Sequence, residues 1–101
     1  MIFVILWEFR VRKGKEKAFE ELYGAKGAWA RFFSRSKDFR GTELLRDAST
    51  KGRYLTIDRW TSAEAFDTFR RTNAALYQQI DVRCEGLTES EAPLGTWIAQ
   101  G

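Results

Sequence analysis

The chain has no histidine, one cysteine, one proline and one methionine among its 101 residues. Without histidine it lacks the side chain that most often moves protons or binds metals near neutral pH. With only one thiol besides, the usual zinc sites and any Cys–His or Ser–His nucleophile pair are excluded. The lone Cys84 forbids an internal disulfide framework, fits a reducing compartment, and has no neighbours in sequence that would lower its pKa. There is no Gly-x-Gly-x-x-Gly fingerprint and no Gly-Lys-Ser/Thr phosphate loop, so neither a nucleotide cofactor nor a metal is expected. No stretch approaches the roughly 20 apolar residues of a membrane-spanning helix. Ile2–Trp7 has no basic residues before it and is interrupted by Glu8 and Arg10, unlike the apolar centre of a signal peptide. A soluble, cytoplasmic protein without a membrane partner is expected. The net charge of +3 is too small and scattered for a nucleic-acid footprint.

What is present is a large apolar and aromatic complement. The composition is 44% hydrophobic, 15% aromatic and 31% charged, which suits one globular domain over residues 1–101. The first strand, from Ile2 to Val11, is apolar on both faces: Ile2, Val4 and Leu6 point one way, and Phe3, Ile5, Trp7 and Phe9 the other. A sheet wetted on one side would alternate apolar with polar. Two helices in so short a chain cover one face only, so the other face is expected to be covered by a second copy of the chain.

After a turn at Arg12–Lys15, a helical period runs from Lys15 to Ser36 through Phe19, Leu22, Lys26, Trp29 and Phe33. Gly24 and Gly27 interrupt it, and either permit a close approach or kink or open room for a ligand beside Tyr23 and Trp29. Thr42–Asp47 and Arg53–Trp60 read as a hairpin around Ala48–Gly52. Thr61-Ser62-Ala63-Glu64 has the pattern of a capping box before a second helix, Ala63–Ile80, with its stripe at Phe66, Phe69, Asn73, Leu76 and Ile80. Thr88–Glu91 could cap a short helical turn, Pro93 should stop any helix, and Gly95–Ala99 reads as a short last strand.

Strand, helix, strand, strand, helix, strand is a pair of split βαβ units. Right-handed crossovers make it an α+β, ferredoxin-like βαββαβ domain with a four-stranded antiparallel sheet, the first and third strands central. Phe9-x-Val11-x-x-Gly14, the helix carrying Phe19, Gly41-Thr42-Glu43-Leu44 and Tyr54-Leu55-Thr56-Ile57-Asp58-x-Trp60-x-Ser62-x-x-Ala65-Phe66 together resemble the antibiotic biosynthesis monooxygenase family over nearly the whole chain. The resemblance implies a homodimeric α/β barrel and cofactor-independent oxygenation of an aromatic or quinol-like substrate between sheet and helices. It also exposes departures. The haem-degrading branch uses an asparagine on the first strand and a tryptophan and histidine on the second helix, and those positions fall on Trp7, Phe69 and Gln79. A histidine that related quinol oxygenases often carry near Phe69 is missing too. Haem degradation of that kind is not expected.

Rings remain as the material of a site. Trp7, Tyr23, Trp29 and Phe69, with Asn73 as a polar anchor, are the expected contacts of a small hydrophobic or aromatic ligand, although each ring also suits a plain core position. Asn73 lies within an apolar stripe, so it must find hydrogen bonds, to a ligand or to the protein itself. Tyr54, Asp58, Arg70 and Tyr77 are the other polar groups on these elements. Glu8 and Arg10 are expected to face Asp58 and Arg59 in an ion-pair lattice. A general acid–base role for Asp58 or Glu8 requires a carboxyl pKa raised by burial. No catalytic residue is assigned. Three readings stay open: a cofactor-independent monooxygenase, a non-catalytic homodimeric binder of a small ligand, and RNA binding on an exposed aromatic sheet face, which the doubly apolar first strand disfavours.

Overall fold

Strand β1 (Phe3–Val11) lies inside a four-stranded antiparallel sheet of order β2-β3-β1-β4, with β2 at Phe39–Arg46, β3 at Arg53–Trp60 and β4 at Thr88–Ile98. The structure, a computed structural model, describes residues 1–101. Four helices, α1 (Glu16–Tyr23), α2 (Ala28–Phe33), α3 (Ala63–Thr72) and α4 (Ala74–Arg83), complete it. The ferredoxin-like order holds, with β1 and β3 central.

Register decides which residues meet the helices. Ile5 opposes Asp58, Trp7 opposes Thr56 and Phe9 opposes Tyr54. Directly opposed residues share a face, and Ile5, Phe9, Val11, Tyr54, Thr56 and Trp60 are buried on this one. Rings fill the layer above. Phe19 stacks on Tyr23 at 4.2 Å and meets Tyr54 at 5.0 Å, while Trp60 contacts Phe33 at 5.5 Å and Phe66 at 5.3 Å. Such pairs add about 0.5–1.5 kcal/mol each beyond their burial. The opposite face carries Val4, Leu6, Leu55 and Ile57, with Leu45 and Trp97 exposed at 39% and 57%. No helix covers this face, whose apolar strip runs between the charged residues Glu8, Arg53, Arg59 and Glu43.

Each long helical period resolves into two helices. Gly24 ends α1 and Gly27 precedes α2, both in extended backbone. A Cβ on Gly27 would stand 2.7 Å from the carbonyl oxygens of both Glu21 and Leu22, and one on Gly24 2.8 Å from that of Glu20. These glycines are there for close backbone approach at a helix break. The second break falls at Asn73, whose φ of −115° and ψ of 31° interrupt α3 and α4. Ser62 alone caps α3, accepting from the Ala65 N–H at 3.1 Å, so the four-residue capping box is not formed as expected.

The end of the chain differs most from its sequence reading. Thr88–Glu91 is strand, the opening of an 11-residue β4, not a helical turn. Pro93 is accommodated because β4 pairs only with β1, and it sits beside a register shift between Leu6 and Trp7. The expected ion-pair lattice is also rearranged. Glu8 pairs with Arg53, which also holds Asp47 at 2.9 Å, and Arg59 meets Glu43 at 3.2 Å. Asp58 lies on the other face, opposite Ile5.

Candidate functional site

A cavity of about 320 Å³ lies between the sheet and the helices. Its floor is the inward row of the sheet: Trp7 and Phe9 from β1, Thr56 and Asp58 from β3, Thr42 from β2 and Glu91 from β4. Its roof comes from all four helices, with Tyr23, Trp29, Phe33, Arg70, Tyr77 and Asp81. Half of the lining residues are rings, and the polar groups that make up the other half converge from separate elements, a composition that suits a small-molecule site.

Of the five expected ligand contacts, Trp7, Tyr23 and Trp29 line this cavity, and Phe69 and Asn73 do not. Phe69 is buried against Phe32 at 4.9 Å and Trp60 at 5.5 Å, a core plug under α3. Asn73 turns back on its own helix. Its side-chain nitrogen donates to the Phe69 carbonyl at 3.0 Å, the same oxygen that accepts from the Asn73 backbone N–H. Its amide therefore serves the helix break. The roof residue one turn further on, Tyr77, takes the place sought for Asn73.

Asp58 is the group with the most unusual setting. It is half-buried on a central strand, and its Oδ1 accepts from the Thr42 hydroxyl at 2.5 Å. Loss of hydration raises its carboxyl pKa to about 6, against the opposing pull of that hydrogen bond. The carboxylate is thus poised between proton donor and acceptor near neutral pH. The alternation Tyr54, Thr56, Asp58, Trp60 carried this signal in the sequence, since it puts an acid among inward-facing residues. Thr42, Glu91 and Asp81 reach the cavity through register and helix packing, which no local pattern expresses.

Burial also raises the pKa values of Tyr23 and Tyr77, so both phenols stay neutral. The Trp29 indole N–H is buried near the Tyr23 hydroxyl and the Cys84 thiol without a well-formed hydrogen bond. Cys84 is buried and its thiol pKa is raised by desolvation, which leaves it protonated and unreactive.

The sequence profile of the antibiotic biosynthesis monooxygenase family matches residues 2–77. The chain belongs to the antibiotic biosynthesis monooxygenase family. The match spans the sheet floor from β1 to β3 and all the helical roof down to Tyr77. Among solved structures, it is similar to SnoaB, a cofactor-independent oxygenase from Streptomyces nogalater, with a TM-score of 0.78, 22% identity, and 99% of this chain and 94% of that one covered. It is similar too to a candidate antibiotic biosynthesis monooxygenase from Bordetella bronchiseptica, with a TM-score of 0.77, 20% identity, and coverage of 98% and 97%. At these identities the likeness establishes the fold. No curated protein matches the chain. Membership in the antibiotic biosynthesis monooxygenase family supports a monooxygenase. No helix is long and apolar enough to cross a membrane.

Proposed function

We propose that this protein is a cofactor-independent monooxygenase for a small aromatic or quinol-like substrate, bound in the cavity between sheet and helices, with Asp58 as the proton acceptor. The observation that carries this reading is a carboxylate with a pKa of about 6 set into an aromatic cavity. The nearness of that value to working pH makes Asp58 an effective general base. The likeness to SnoaB, named as a cofactor-independent oxygenase, supports the same chemistry.

The substrate supplies the electrons. Asp58 takes a proton from an acidic ring methylene and leaves a carbanion delocalised into the rings. That carbanion passes one electron to dioxygen, the resulting radical pair combines to a peroxide anion, and protonated Asp58 returns its proton to give the hydroperoxide. The hydroperoxide loses water to leave a carbonyl, so one oxygen atom of dioxygen ends in product and the other in water. Trp7, Tyr23 and Trp29 sandwich the substrate and exclude bulk water, which strengthens every electrostatic contact inside.

The functional unit in this reading is a homodimer. Val4, Leu6, Ile57 and Trp97 form an apolar sheet face with no intramolecular cover, and a second copy supplies that cover. The test of function is dissolved-oxygen uptake on a series of anthrones and quinols. Uptake that is lost in Asp58→Asn supports the proposal. Tight ligand binding without any oxygen uptake would instead favour the non-catalytic binder.

A further inference from the structure

A second concavity, of about 280 Å³, is an open groove between α2 and α4, and it shares no residue with the cavity under the helices. One wall carries Arg31 and Phe32 of α2 with Arg35 just beyond it, and the other carries Leu76, Ile80 and Arg83 of α4. Both sets recur at three- and four-residue spacing, so each marks one face of its helix. Trp29 and Phe33 of α2 and Tyr77 of α4 line the cavity instead. Each helix therefore serves the cavity with one face and the groove with another.

No acidic residue lines the groove. None of its three arginines takes part in the protein's ion pairs, whereas Arg53 and Arg59 on the sheet each have a carboxylate. Arg31 donates to the Lys26 carbonyl at 2.7 Å, and the side chains of Arg35 and Arg83 donate to nothing in the protein. Arg31 and Arg35, four residues apart, repel each other. The arginines are exposed, while the floor is recessed, with Phe32 at 6% exposure and Leu76 and Ile80 half-buried. A flat bilayer would meet the arginines and miss the floor. The ridge of a helix reaches both, since side chains of one helix seat between those of two others. The fork of a guanidinium matches a carboxylate.

We propose that this groove docks an acidic amphipathic helix of a partner protein, with apolar side chains seated on Phe32, Leu76 and Ile80 and carboxylates on Arg31, Arg35 and Arg83. The inference stands independently of the oxygenase reading. It also leaves the open sheet face free, because the groove is on the helical side of the sheet.

The probe is a fluorescein-labelled synthetic helix with leucines at three- and four-residue spacing and glutamates on both flanks, read by fluorescence anisotropy. One control peptide replaces the glutamates with lysine, and another replaces the leucines with glutamine. The wild type should bind the probe at least about tenfold more tightly than either control, and less tightly as salt rises. The double variant Arg31→Glu/Arg83→Glu should lose at least about tenfold in affinity for the probe and should now prefer the lysine peptide. That exchange of preference also shows that the variant is folded. Equal binding of the probe to both proteins, or none to the wild type up to about 1 mM, overturns the proposal. A glutamine control that binds as tightly as the probe overturns the apolar seat. Wild type that sediments with phosphatidylglycerol vesicles, when the variant does not and the probe stays free, assigns the face to a membrane and overturns the protein partner.

Discussion

Thr42 and Asp58 stand directly opposite each other on neighbouring strands, and the threonine hydroxyl donates to the aspartate carboxylate. This contact opposes the effect of burial and helps place the Asp58 pKa near 6 rather than higher. Thr42→Val removes the donor while preserving shape. The carboxyl pKa should then rise further, and the acid limb of the pH–rate profile should move to higher pH by up to about one unit. A profile that does not move would detach Asp58 from the rate.

Asp58→Asn should lower the rate of oxygen uptake by about 10²- to 10⁴-fold, the usual contribution of a general base. Stability should change in the opposite sense. The folded pKa, about 6, lies above the ordinary carboxyl value of 3.8, so between these limits the folded state binds more protons than the unfolded one. Stability from this group is complete below the lower value and is lost as pH rises through the upper. At pH 7.5 the wild type retains a half-buried charge that the amide variant lacks, and the variant should be more stable by roughly 1–3 kcal/mol. Thermal melts at that pH and at pH 4, where the advantage should vanish, check the sign.

Asn73→Ala should cost about 0.5–1.5 kcal/mol, the net worth of the hydrogen bond to Phe69, and leave ligand affinity unchanged. Melting and anthrone binding on the same variant separate the two effects. A tenfold loss of affinity at constant stability would return Asn73 to the ligand site.

Gly27→Ala forces a methyl group against two carbonyl oxygens 2.7 Å away, and should destabilise by about 1–3 kcal/mol. Denaturant midpoints measure this directly. An unperturbed midpoint would mean that the α1–α2 break can widen freely.

Ile57→Lys puts a charge in the middle of the open sheet face, opposite Leu6. In the dimer reading it should halve the mass measured by light scattering at micromolar concentration while leaving the monomer's circular dichroism intact. A wild type that is monomeric at that concentration would refute the dimer.

The sequence alone determined the element order, the central place of β1 and β3, and the inward and outward rows of both strands. These follow from periods of 2 and 3.6, which are local and survive in any window of the chain. It also marked Trp7, Tyr23, Trp29, Asp58, Arg70 and Tyr77 as rings and polar groups worth placing. Tertiary structure decided which of them meet. Asn73 sits at a helical spacing from Phe69, yet Phe69 packs into the core against Phe32 and Trp60, Asn73 bonds back to the Phe69 carbonyl, and it is Tyr77 of α4 that lines the cavity. Pro93 looked like a terminator until an edge position and a register shift made room for it in β4. The raised pKa of Asp58 and the seat of Arg70 against the Phe66 and Tyr77 rings depend on desolvation and on distances between groups that no local pattern sets. Neither quantity is a property of any segment; both exist only once the sheet and helices close over the same space.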